Sequence, residues 1–190
     1  MTANGSKPWM ASSVIAVMLF CALTTVSARA EVSNPGVVGH PEVANQLTSF
    51  KRTASAMRDH AGELHSITPN RQLHWRSHSS RLSTLKHQVN ELGGMLASLE
   101  DLQHQANPGQ RLAIEHARPH LAAVAEELTQ AIQLVSEDRR SVYWPAYADR
   151  ISNISSRATS LHETLDAILD YENARVRLDR LELLAPMEGS

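Results

Sequence analysis

From residue 43 onward the apolar positions of this chain fall into a seven-residue rhythm. Val43, Leu47, Phe50, Ala54, Met57, Ala61 and Leu64 follow one another at alternating steps of four and three. That spacing lays a narrow apolar stripe along a helix, as in helices packed along a shared seam. Pro41 suits the first helical position, where its missing N–H is no loss, and Glu42 suits the positive end of the helix dipole. The spacing predicts a first helix over residues 41–66.

The next segment repeats the pattern without a break, through Trp75, His78, Leu82, Leu85, Val89, Leu92, Leu96 and Leu99. Thr68-Pro69 reads as a cap followed by a first helical residue, which predicts a second helix over 69–105. Gly93-Gly94 lies inside it, at about 1 kcal/mol per glycine relative to alanine. The pair implies either a closely approaching neighbour or a bend. A third helix, 108–136, carries Ile114, Ala117, Leu121, Val124, Leu128, Ala131 and Val135. Asn107, Pro108 and Gln110 supply its cap, first residue and capping-box partner. Pro119 removes one backbone donor inside it, so a kink is expected on the outermost face.

The fourth helix, 145–184, begins at Pro145 and runs through Tyr147, Ile151, Ile154, Ala158, Leu161, Leu165 and Ile168. Beyond Ile168 the same register would place Glu172 and Arg175 on the seam. The apolar pattern resumes instead at Tyr171, Ala174, Leu178 and Leu181, a three-residue skip expected to change the local coiling. Four long helices with short connections favour an all-α, antiparallel up-down-up-down bundle. A rod of two hairpins that dimerises is the alternative. The unequal lengths imply that the end of helix four, from about Arg175 to Leu184, projects or packs on another chain.

The first thirty residues depart from this pattern. Lys7 is the only charge before an apolar run of ten residues, Val14 to Leu23, and small residues follow to Ala28-Arg29-Ala30. A basic start, a short apolar run and an A-x-A site make a secretory signal peptide over 1–30, with Val26-Ser27-Ala28 as a second cleavage point. The run falls short of the roughly twenty residues that span a bilayer, so an uncleaved membrane anchor is the lesser alternative. Phe20 stands before Cys21 where a lipoprotein signal requires a small residue. The expectation is an exported protein, periplasmic or secreted, with a loose leader over 31–40 and a tail over 185–190.

Removal of such a segment changes the charge. Lys7 and Arg29 leave and no acid does, so sixteen basic residues face twenty acidic ones, a net charge near −4. Cys21 leaves as well, which excludes disulfides, thiolate metal sites and a cysteine nucleophile from the remainder. A mildly acidic chain also lacks the basic footprint that nucleic-acid binding needs.

The candidate chemistry is histidine and aromatic. His74 and His78 are one turn apart and could hold half of a metal site; His116 and His120 repeat the spacing across Pro119. An antiparallel hairpin about residue 68 brings His60, His65, His74 and His78 to one end of the bundle. The connection Glu137 to Tyr147 reaches that same end with Arg139, Arg140, Tyr143, Trp144 and Tyr147, and Trp75 joins from helix two. His60, His74 and His78 are the metal candidates. The bland reading is a core-flanking histidine bonded to a carboxylate or water, with the rest solvated. It is preferred because two ligands do not close a zinc site, and for it His78→Leu is expected to preserve or raise stability. Arg139, Arg140, Tyr143, Trp144 and Tyr147 are the partner-binding candidates, since tyrosine, tryptophan and arginine are the usual interface anchors. The reading preferred over it is an aromatic plug at the bundle's open end, since a bundle must cap its core.

Catalytic motifs are absent: no Glu-x-x-His pair, His-Glu-x-x-His, phosphate loop or Gly-x-Ser-x-Gly elbow occurs. Asn153-Ile154-Ser155 matches a glycosylation triplet but lies mid-helix with Ile154 on the seam. Charged residues between seam positions, such as Glu126 and Glu127, read as a solvated face. The chain resembles small exported helical bundles in general, which carries no activity. The expectation is a non-enzymatic partner-binding or scaffold module without a cofactor, able to bind a protein or to self-associate through its helices. A metal- or haem-binding bundle is the alternative.

Overall fold

The computed structural model describes residues 40–184, and the signal-like segment, residues 31–39 of the leader and the tail 185–190 lie outside them. Four helices carry nearly all of this span: α1 (Pro41–Ile67), α2 (Trp75–Asp101), α3 (Pro108–Glu137) and α4 (Pro145–Leu184). There is no strand among the described residues. Consecutive helices pack on one another and α1 closes the ring against α4, while diagonal contact is slight. The result is the up-down-up-down bundle. At ~1.5 Å per residue, α1 and α2 are about 40 Å long and α4 about 60 Å. None of the described helices is long and apolar enough to cross a membrane.

The buried residues of α1 are Val43, Leu47, Phe50, Ala54, Met57, Ala61 and Leu64, the seven that its spacing selects. They join Leu82, Leu85, Leu92, Leu99, Ile114, Val124, Leu128, Ile151, Ile154 and Leu161, among others, in one continuous core. Outside it, Lys51 of α1 pairs with Asp166 of α4, and the ammonium holds that carboxyl below its ordinary range.

α2 starts six residues later than its sequence suggests. Thr68 is committed to ending α1: its hydroxyl donates to Leu64 O at 2.7 Å and its N–H to Leu64 O at 3.1 Å. A side chain spent this way cannot cap the next helix. Asn70 then organises a turn, accepting from Gln72 N at 3.0 Å. His74 becomes the cap instead, its Nδ1 accepting from Arg76 N at 3.2 Å. The helix also ends sooner, at Asp101, before a 3-10 turn over Gln103–Gln105. Gly93 and Gly94 serve no close approach, since a Cβ on either would meet nothing within 4 Å.

α3 opens with the expected capping box, Asn107 Oδ1 accepting from Gln110 N at 2.7 Å and Gln110 Oε1 from Asn107 N at 3.0 Å. Pro119 is exposed and does not end the helix. Glu127 is not part of a solvated face. It is buried against α4, accepting from Arg150 Nη1 at 2.9 Å and from Asn153 Nδ2 at 3.3 Å, with Arg157 at 3.9 Å. A carboxylate can be buried there because two hydrogen-bond donors and a further cation, all from one neighbouring helix, replace its water.

The skip expected after Ile168 does not occur. The core register continues to Glu172, which is buried, and leaves Tyr171, Leu178 and Leu181 exposed. Glu172 packs over Gly109 at the start of α3, where an added Cβ would lie 1.8 Å from Glu172 Cγ. Its Oε1 accepts from Arg175 Nη1 at 3.3 Å. A glycine facing it makes room, and the amino end of α3 favours a negative group.

Candidate functional site

One end of the bundle gathers the α1–α2 turn and the α3–α4 connection. Asp138 caps a 3-10 turn over Arg139–Tyr143, its Oδ1 accepting from Arg140 N at 2.8 Å. Pro145 then starts α4. Tyr143 fastens the two connections together by donating its hydroxyl to Leu73 O at 3.0 Å. The turn delivers side chains in two directions: Ser141 and Val142 inward, Arg139, Arg140, Tyr143 and Trp144 outward.

Beneath this cap lie two buried polar side chains. His78, 1% exposed, places Nδ1 3.2 Å from the Tyr147 hydroxyl, and the rings meet edge to face with centroids 5.6 Å apart. Burial, reinforced by the nearby Arg81 guanidinium, pushes the His78 pKa below its ordinary value. Burial pushes the Tyr147 hydroxyl upward. Both groups are therefore neutral near pH 7 and satisfy each other. Tyr147 is thus a core residue, and of the five partner candidates it is the one with no surface to offer.

The three metal candidates do not come together. His60 Nδ1 donates to Gln88 Oε1 at 3.0 Å, His78 meets Tyr147, and His74 caps α2. Among the described residues no three His, Cys, Asp or Glu side chains converge as a metal-holding group. The reason is local: the later start of α2 puts His74 at the cap position, outside the helix whose face it was expected to share with His78. His65 is exposed at the end of α1, and His116 and His120 lie on α3 without a joint partner.

The outward side chains form a surface of different chemistry. The Arg139 guanidinium lies 4.5 Å from the Trp75 ring centroid and that of Arg76 lies 5.5 Å from it. His74 stands beside the same indole, ring centroids 5.5 Å apart. Tyr143 and Trp144 are 43% and 45% exposed. Trp75 and Arg139 also stand at the head of a groove of about 390 Å³ between α2 and α3, lined by Ser79, Ser83, Lys86 and Ser136 among others. Its lining holds two cations, three hydroxyls and no acid.

Topology brought Trp75, Arg139, Tyr143 and Trp144 to one end in the sequence reading, and the structure does the same. The groove was missed, as were the buried Gln88, Glu127 and Glu172. Glu127 had a weak signal: Arg150 and Arg157 are seven residues apart and flank the α4 seam beside Ile154, a spacing that lets both reach one acid on a facing helix. Comparison with protein-family models, curated proteins and solved structures finds no match to this chain.

Proposed function

We propose that this chain is an exported, non-catalytic helical bundle that binds a partner protein through its arginine and aromatic end. One observation carries the reading. Trp75, flanked by Arg139 and Arg76, stands at the head of a cationic, hydroxyl-lined groove, beside exposed Tyr143 and Trp144. Val142 and Tyr147 close the core from inside, while Tyr143 and Trp144 keep 43% and 45% of their surface exposed beyond what that closure uses. Indole and phenol rings supply rigid contact area, and arginine supplies directional donors. Lys86 and Arg139 without a counter-acid favour an acidic segment of the partner. Export rests on the residues 1–30 pattern, a basic start, a short apolar run and an A-x-A site.

The test is site-specific photocrosslinking in the producing cell, with the reactive residue at Trp144 or, as a control, at exposed Ala97 on α2. The expected result is a discrete adduct from position 144 alone, lost when Arg139→Ala is added. Equal adducts from both positions, or an adduct indifferent to Arg139, would refute the reading. The mass of the N terminus in exported material tests the first step: a chain beginning at Glu31 or Arg29 supports it, and an intact residue 1 opposes it.

A further inference from the structure

The end of α4 carries a second surface, independent of the one above. Tyr171, Leu178 and Leu181 are 68%, 60% and 63% exposed, and Ala174 is exposed between them. Their spacing is three, four, three, the a-d-a-d steps of a coiled coil. Glu172 is the residue that packs on α3, and the stripe lies to one side of it. Tyr171 borders an open groove with Pro108 and Leu112 at the start of α3, and Ala174, Leu178 and Leu181 continue past it on the exposed face. Four apolar positions at heptad spacing on one exposed helix face leave a seam with only one side.

The flanking charges say what fits it. With Tyr171 and Leu178 at a, Asp170 and Arg177 fall at g, while Arg175 and Glu182 fall at e. In a parallel pair each g residue faces the e residue of the next heptad on the other helix. Asp170 then meets the partner's Arg175, twice by symmetry, and the register sets position 177 opposite position 182 of the other helix. An antiparallel pair that keeps all four layers sets Arg175 beside the partner's Arg175 and Arg177 beside the partner's Arg177. Charge thus selects both the occupant and its direction. We propose that residues 170–182 form a short parallel coiled coil with the same residues of a second copy of this chain. Arg175 keeps its contact with Glu172 in that pairing, because a guanidinium has five donors to share.

The consequence reaches the other end of the molecule and rests there on the partner-binding reading. Parallel α4 helices point both arginine and aromatic ends the same way, so the dimer presents two copies of that surface to one target. Linked sites of modest affinity gain avidity without any new contact.

Sedimentation equilibrium over a concentration series tests the proposal, on the protein as its host produces it, with Cys21→Ser wherever that residue is retained. A reversible monomer–dimer equilibrium is expected. Leu178→Glu with Leu181→Glu is expected to weaken it by more than about tenfold. Both side chains are exposed in the single chain, so circular dichroism of the monomer is expected to keep its helix. Asp170→Lys, which opposes two cations across the seam, is expected to weaken the dimer by about fivefold. Leu178→Cys reports direction: in a parallel pair, oxidation links two identical chains. In an antiparallel pair position 178 meets position 174, and only a mixture with Ala174→Cys chains links. A monomer at every concentration, including one whose stripe is covered by its own residues 1–39 or 185–190, overturns the proposal. So does a dimer indifferent to the glutamates, or linkage confined to the mixture. Loss of the Trp144 adduct while the dimer persists would count against the partner-binding reading alone.

Discussion

Two stretches of α4 share one helical geometry and meet different surroundings. From Tyr147 to Leu165 its seam residues, Tyr147, Ile151, Ile154, Ala158, Leu161 and Leu165, are wholly buried. From Tyr171 onward the apolar residues face out and the inward position is held by Glu172. The change coincides with the level at which α3 begins, because Gly109 lies directly against Glu172. Apolar spacing therefore records which face of a helix avoids water, while the neighbours decide whether that face is covered. In the first stretch the neighbouring helices α1 and α3 cover it; in the second the described residues supply no such cover.

The largest expected contrast is a truncation in each stretch. Leu161→Ala opens a cavity in a closed core and is expected to cost about 2–5 kcal/mol. Leu178→Ala, measured in dilute solution where the chain is monomeric, is expected to stay within about 0.5 kcal/mol. Urea unfolding of both variants checks this, and equal losses would break the comparison.

His78 sharpens it at the bundle's other end. Leucine would extend the apolar seam, but it leaves the fully buried Tyr147 hydroxyl without its partner, an expected cost of about 1–3 kcal/mol. Adding Tyr147→Phe removes the stranded hydroxyl and is expected to recover most of the loss. The same pair sets a pH response. The folded-state pKa of His78 lies below 6.5, so as pH falls through that value the unfolded chain takes up the proton first. Stability is then lost on acidification below about pH 6.5. Thermal unfolding of wild type between pH 7.5 and about 5 is expected to show that slope, and the His78→Leu/Tyr147→Phe chain to lack its His78 component.

Two glycines give smaller effects of opposite sign. Gly109→Ala forces a Cβ into the Glu172 side chain, whose outer carbons must shift, and is expected to cost about 1–3 kcal/mol. Gly94→Ala meets open space on a helix and is expected to gain about 0.4–1 kcal/mol through the unfolded state. Paired denaturation curves decide, and a destabilising Gly94→Ala would mean that something packs on that face of α2.

The legible parts of this molecule were those set by one chain segment at a time. All seven core residues of α1 follow from spacing, and the α3 capping box follows from Asn107 and Gln110. Thr68-Pro69 misled because a capping hydroxyl serves a helix end as readily as a helix start, and only the fold shows which carbonyl it meets. Glu127 and Glu172 read as surface because their donors and the space they occupy come from other helices. Of the candidate site, the convergence of Trp75, Arg139, Tyr143 and Trp144 was legible from topology. The inward position of Tyr147 follows from its seam spacing and overrules its place among the partner candidates, and the indole–guanidinium contacts needed three dimensions. His74 left the metal set for the same reason that α2 started late.

Hydrogen exchange along α4 tests most directly that one helix serves as core up to Ile168 and as surface beyond it. Amides from Ile151 to Leu165 are expected to exchange only through global unfolding. Those from Arg175 to Leu184 are expected to exchange far faster in dilute solution, through local opening, and to slow as chain concentration rises. Uniform protection along the whole of α4 at every concentration would contradict the account.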